Sequence, residues 1–213
     1  MSYLPALQIV TRRIAMQVNS FIEYPVVGGM VNTAVEQKIN YAILATVKKL
    51  YADQVKQLLD QGYPQIPPME IRGWYEIKTN ERGVLSLSIG NYTIAFPAAH
   101  GWTIIKSLTF DTLTGEIYQL NNLFKPDSGY MKILSDIVSA QIKERNIPVI
   151  SPYPGIKPLD QDYYIADKAL VIYYQLVEFT PYVYGFPMFP ISVYEIQDII
   201  KPGTPLEKML SDY

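Results

Sequence analysis

Among its 213 residues the chain has one histidine, His100, and no cysteine. Those two counts close off whole classes of chemistry. Zinc gripped from one helix face by H-E-x-x-H needs two imidazoles, and thiolate nucleophiles, thiolate metal sites and disulfides all need cysteine. Phosphate-cradling loops need glycines at set spacings so that backbone N–H groups can reach the oxygens. Neither G-x-x-x-x-G-K-[ST] nor G-x-G-x-x-G occurs, and the nucleophile elbow G-x-S-x-G is missing too. Residues 111–122 carry spaced oxygen side chains, but Leu113 occupies a position where a calcium loop requires Asp or Asn. No metal and no cofactor is therefore expected.

For acid–base work there remain the carboxylates Asp160, Asp162 and Glu178. Glycoside hydrolysis needs two carboxyl groups about 5–9.5 Å apart. Asp160 and Asp162 fall in residues 151–162, a polar connection holding Pro152, Pro154, Gly155 and Pro158, where solvated carboxylates are the expectation. The chain is accordingly read as not an enzyme, with a carboxylate-dependent hydrolase acting on glycans as the rival reading. His100, in Ala98-Ala99-His100-Gly101 just before a strand, suits a packed imidazole bonded to a backbone carbonyl, with ligand contact as its second reading.

The segment most suited to recognition is 179–190. Phe179, Tyr182, Tyr184, Phe186, Met188 and Phe189 alternate there with Pro181, Pro187 and Pro190. Prolines restrict the backbone in advance and aromatic side chains have few rotors to freeze, so an exposed loop of this kind loses little entropy on binding. The candidate ligand-binding set is Pro181, Tyr182, Tyr184, Phe186 and Met188, with His100. The competing reading is a buried crossover that fills the end of the core.

These side chains need a scaffold, and the composition supplies one. A chain 49% hydrophobic and 18% charged is globular. Net charge is −2 and Lys and Arg are scattered, which argues against nucleic acid as a partner. No window reaches about 18 uninterrupted apolar residues, so no membrane insertion is expected. Residues 1–13 show no charged stretch followed by an apolar one, which points to the cytoplasm. Eighteen tyrosines suit half-buried strands and interfaces alike.

Residues 6–16 read as a first strand, followed by turns at Glu23-Tyr24-Pro25 and Gly28-Gly29. From 33 to 61, apolar residues at three-and-four spacing predict one long amphipathic helix, with Thr33 and Glu36 at capping-box spacing and a stop at Gly62, Pro64, Pro67 and Pro68. Strands are predicted at 69–78, 84–89, 92–96 and 102–110, joined by turns at 80–83 and Gly90-Asn91, with 117–120 as a return strand; Leu85, Leu87 and Ile89 alternate with Ser86 and Ser88. A second helix is marked by Tyr130, Ile133, Leu134, Ile137, Val138 and Ile142, preceded by Asp127-Ser128 and followed by Pro148. A hairpin at 163–166 and 169–178 has a central second strand, and 194–200 reads as a short helix. The fold class is α+β: an antiparallel meander with a long amphipathic helix and a second helix packed on one face. Residues 1–98 form an N-terminal helix-plus-strands region and 99–213 a C-terminal region, packed as one unit.

Several stretches together resemble a known family. Ser107-Leu108-Thr109-Phe110-Asp111, Thr114-Gly115-Glu116, Leu120-Asn121-Asn122-Leu123-Phe124 and Pro181-Tyr182-Val183-Tyr184-Gly185 are similar to the signature of the C-terminal domain of RsiV-like proteins. Ile39-Asn40, Ser86-Leu87-Ser88 and Ala99-His100-Gly101 are similar to elements of its companion N-terminal region. Family members include the extracytoplasmic domain of the anti-sigma factor RsiV, which binds lysozyme, and a domain attached to peptidoglycan deacetylases. The resemblance implies helices on one side of an antiparallel sheet, a lysozyme-like protein or peptidoglycan-related ligand, and an extracytoplasmic address. The sigma-binding and membrane segments of RsiV and the catalytic domain of the deacetylases have no counterpart in these residues, so signalling and deacetylation are not carried over. A self-associating protein, a homodimer, is the third reading.

Overall fold

The computed structural model describes residues 5–17, 20–60 and 69–210. Among them a five-stranded sheet, β1 (Gln8–Gln17), β2 (Ser20–Gly28), β3 (Met69–Glu81), β4 (Val84–Ala95) and β5 (Trp102–Asp111), runs in that order. All its pairings are antiparallel except β2 with β3, which meet in parallel only at Phe21↔Arg72 and Ile22↔Gly73. The α+β class of the sequence reading holds, and the long helix α1 (Thr33–Asp60) lies on this sheet.

Helix α1 buries Val35, Ile39, Ile43, Val47, Leu50 and Gln54, the face that the three-and-four spacing predicts. Each aliphatic side chain so buried stabilises by about 1.5–3 kcal/mol. Its start differs from the expected Thr33 box. Asn32 accepts from the Val35 N–H through Oδ1 at 3.2 Å, and Glu36 reaches back to the Met30 N–H at 2.9 Å. Two amides then pin the helix to the sheet. Asn40 pairs with the Val27 backbone, accepting from its N–H and donating to its carbonyl, both at 2.8 Å. Fourteen residues on, buried Gln54 donates to the Asn91 carbonyl at 2.7 Å and accepts from the Asn91 side chain. The proline-rich stop expected after the helix lies outside the described residues.

Two expected turns are strand interior. Glu23-Tyr24-Pro25 lies within β2, opposite Arg13, Arg12 and Thr11. Pro25 is tolerated because beyond Ile22 the strand has a paired neighbour on one side only. Gly90-Asn91 sits within a continuous 12-residue β4. Gly90 faces Trp74 across the pair, and a Cβ there would fall 2.4 Å from the indole ring, so this glycine makes room for tryptophan rather than for a turn. Ser86 and Ser88 are likewise not on a wet face. Both are buried, because α1 covers one side of β4 and the C-terminal half covers the other.

That half contains a second sheet, β6 (Tyr163–Ala166), β7 (Ala169–Tyr173) and β8 (Met188–Ser192), with β7 central as expected. Helix α2 (Tyr130–Glu144) packs Leu134 and Val138 into a second core with Ile165, Leu170, Ile172, Phe179 and Phe189. It ends through Asn146 in the left-handed region, φ 50°, as helix C-termini commonly do. The return strand expected at 117–120 is reduced to one bridge, Phe110↔Ile117, before a 3₁₀ turn at Leu120–Leu123. The helix expected at 194–200 is only a 3₁₀ turn, Gln197–Ile199. There the Ile199 carbonyl accepts from Lys125 N–H and the Leu123 carbonyl from Lys201 N–H, so the backbone groups are spent on a bridge. A short helix α3 (Pro205–Lys208) closes the chain.

The two halves are stitched by polar side chains. Thr79 Oγ1 donates to the Ile165 carbonyl at 2.9 Å and accepts from the Asp167 N–H at 3.0 Å, while Ser86 Oγ accepts from the Ile165 N–H at 3.0 Å. Gln175 pairs with the Ile105 backbone on β5.

Candidate recognition surface

The aromatic segment 179–190 divides along its length. Phe179 and Phe189 are core, packed with Tyr174 in edge-on contacts, and the segment's end is strand β8, whose Met188 Sδ accepts from Tyr164 O–H at 3.5 Å. Met188 there is half-buried. Pro181, Tyr184 and Phe186 are half-buried. Between them a 3₁₀ turn, Tyr182–Tyr184, leaves Tyr182 40% and Val183 91% exposed. The turn is held by Tyr184 N–H to Pro181 C=O at 2.9 Å and Gly185 N–H to Tyr182 C=O at 3.1 Å.

His100 comes from the loop after β4. Its ring centroid lies 4.9 Å from that of Tyr182, and Trp102 lies 6.2 Å from Tyr182, both tilted. The Tyr182 hydroxyl donates to the Gly101 carbonyl at 2.9 Å across 81 positions of sequence. Gly101 is needed there, since a Cβ would stand 2.2 Å from the Tyr92 ring. His100 is exposed, and its Nδ1 lies 3.2 Å from the neighbouring Gly101 carbonyl. The same loop begins with Phe96, 80% exposed. The sequence reading missed Trp102 as a partner, having treated it only as the start of a strand. Beside this patch is a cleft of about 170 Å³ lined by His100, Trp102, Ala98, Gln54 and Leu58 among others.

The expected carboxylates are dispersed among cations and amides. Asp162 Oδ1 accepts from Lys106 Nζ at 2.8 Å and Oδ2 from Gln175 Nε2 at 2.7 Å, and Glu178 pairs with Lys157 at 2.5 Å. Asp160 is exposed. Among the described residues no group of three or more His, Asp or Glu side chains is placed to hold a metal ion. In the loop at 111–115, Asp111 Oδ1 accepts from the N–H groups of Leu113 and Thr114 at 2.8 and 3.1 Å, and Oδ2 accepts from Lys208 at 2.6 Å. Burial works to raise this carboxyl, but Lys208 and the two N–H groups outweigh it and hold it below the usual carboxylate value.

Comparison with known families divides the chain in two. Residues 16–103 match the family described as Deacetylase PdaC, and residues 121–194 match the one described as Protein of unknown function (DUF3298). The chain is thus similar to the first family over its N-terminal portion and to the second over its C-terminal one. Neither match carries the RsiV name. Two solved structures share the fold over nearly the whole chain. One is a DUF3298 family member from Bacteroides fragilis, at 11% identity and TM-score 0.71, covering 99% of this chain and 100% of its own. The other is a DUF3298 family protein from Pseudomonas aeruginosa, at 14% identity and TM-score 0.65, covering 98% of each. At such identities the likeness shows the fold alone. Among curated proteins there is no match. The patch takes His100 and Trp102 from the first matched region and Tyr182 from the second. Among the described residues, no helix is long and apolar enough to cross a membrane.

Proposed function

We propose that this chain is a non-catalytic binding module that captures a partner through the patch of His100, Trp102 and Tyr182, with Val183 and Phe96 as flanking apolar contacts. The observation that carries this reading is the docking of Tyr182 on the His100–Trp102 loop, which fixes an aromatic surface while leaving Val183 and Tyr182 open to solvent. Rigid, partly exposed aromatic anchors of this kind dominate binding energy where they occur. A protein partner suits the patch best, because its apolar tips stand out from the surface instead of lining a deep pocket. The RsiV resemblance makes a lysozyme-like protein the first to test and a peptidoglycan-related ligand the second. A hydrolase is disfavoured by the lysine partners of Asp162 and Glu178.

Titration of the full chain with lysozyme and with peptidoglycan fragments tests the proposal. Tyr182→Ala should weaken binding by at least about thirty-fold, the loss of one anchor of ~2 kcal/mol. Val183→Asp alters a side chain that is almost wholly exposed and should weaken binding without affecting folding. Lack of binding to either ligand removes those partners, and binding indifferent to both substitutions removes the patch. Fractionation of the native host separates the cytoplasmic expectation from the extracytoplasmic one.

A further inference from the structure

A second cleft, of about 400 Å³, opens between the middle of α1, strand β5 and residues 117–119 and 160–163. We propose that it binds a saccharide of about two rings, independently of the aromatic patch. Its volume lies in the range of small-molecule sites, roughly 300–1,000 Å³. Its charge selects against anions: Asp53, Asp160 and Asp162 face Lys49 and Lys106, three negative groups against two positive, a balance of −1. A phosphate, sulfate or uronate gains nothing from such a lining.

A polyhydroxylated ligand does gain from it. Lys106 and Asp162 fix each other at 2.8 Å, and Gln175 holds the second Asp162 oxygen at 2.7 Å. The ammonium therefore keeps donors, and the carboxylate keeps lone pairs, at fixed positions where hydroxyls can meet both kinds of group. Gln119 adds a side chain that donates and accepts, and the Thr46 hydroxyl, whose proton goes to the Ala42 carbonyl at 3.0 Å, adds an acceptor. Leu108, Ile117 and Tyr118 supply an apolar flank suited to the C–H face of a sugar ring. The cleft also spans the junction between α1 and the C-terminal half, a preferred place for ligands.

The experiment is an NMR titration of the full chain with cellobiose, with the diamino disaccharide of glucosamine, and with digalacturonate. Cellobiose or the diamino sugar should shift resonances of Lys106, Tyr118 and Gln119, and digalacturonate should bind more weakly than either. Gln119→Ala and Asp160→Asn, at exposed positions, should each weaken binding by about five-fold or more, the loss of one hydrogen bond. Tyr182→Ala should leave it unchanged, which separates this site from the patch. The proposal is overturned if none of the three sugars perturbs the cleft at tens of millimolar, if the shifts gather at Tyr182 and His100 instead, or if digalacturonate binds tightest.

Discussion

Gln175 meets Ile105 as a neighbouring strand would. Its Oε1 accepts from the Ile105 N–H at 3.2 Å and its Nε2 donates to the Ile105 carbonyl at 2.7 Å, while the same Nε2 also donates to Asp162. Strand β5 is the last in its sheet, and one amide from the C-terminal half satisfies part of its open edge. Gln175→Ala should leave the Ile105 backbone pair and one Asp162 oxygen without these partners, lowering stability by about 2–3 kcal/mol. Urea denaturation checks the size, and hydrogen exchange at the Ile105 amide should rise more than at Leu87 in the sheet interior.

Asp111 ties the end of β5 to α3 through Lys208. Its folded pKa is depressed, so the stability it contributes is present above the unfolded value of about 3.9 and is lost as pH falls through the folded value. Asp111→Asn should therefore destabilise at pH 7, by about 2 kcal/mol, and the gap from the parent chain should narrow below about pH 4. Thermal melts at pH 7, 5 and 3 measure that convergence.

At alkaline pH the buried tyrosines act in the opposite sense. Burial pushes the hydroxyls of Tyr163, Tyr173 and Tyr174 well above the ordinary tyrosine value. Groups kept protonated by folding stabilise fully below the unfolded pKa of about 10 and progressively less above it, because the unfolded chain can then release those protons. Stability should decline from about pH 10 upward. Absorbance at 295 nm should show part of the tyrosines ionising only together with loss of structure; smooth ionisation of all of them in a folded chain would contradict the burial.

Strand β1 lies at the opposite edge of the same sheet, with Arg12 and Arg13 near its centre and Val10 and Met16 exposed. Two copies pairing antiparallel through this edge would bring arginines face to face, which is unfavourable. Arg12→Thr should therefore increase self-association, read by sedimentation velocity across a concentration series. An equal or smaller sedimentation coefficient at every concentration would show that the arginines do not guard this edge.

The sequence made α1, α2, most strand starts and the central place of β7 legible, because each rests on a periodicity carried within one segment. The misreadings share a cause. Gly90 looks like a turn until Trp74 is seen opposite it, and Ser86 looks solvated until Ile165 donates to it. Both meanings reside in a residue remote in sequence. For the same reason the loop holding Tyr182 could be nominated, while its docking on His100 and Trp102, and the Lys106 partner of Asp162, could not. Asn40 is the reverse case: it stood out only as part of a family resemblance, and its double hydrogen bond to Val27 now gives it a physical role.

Apolar surfaces slide over one another at little cost, whereas a hydrogen bond tolerates only a narrow range of angles. Thr79, Ser86 and Gln175 join the two halves by directional contacts of that second kind. The relative orientation of the halves is thereby indexed, much as dowels locate two plates. Because the aromatic patch draws its rings from both plates, its geometry is set when the chain folds, and the partner proposed for it would meet a surface that does not have to be assembled around it.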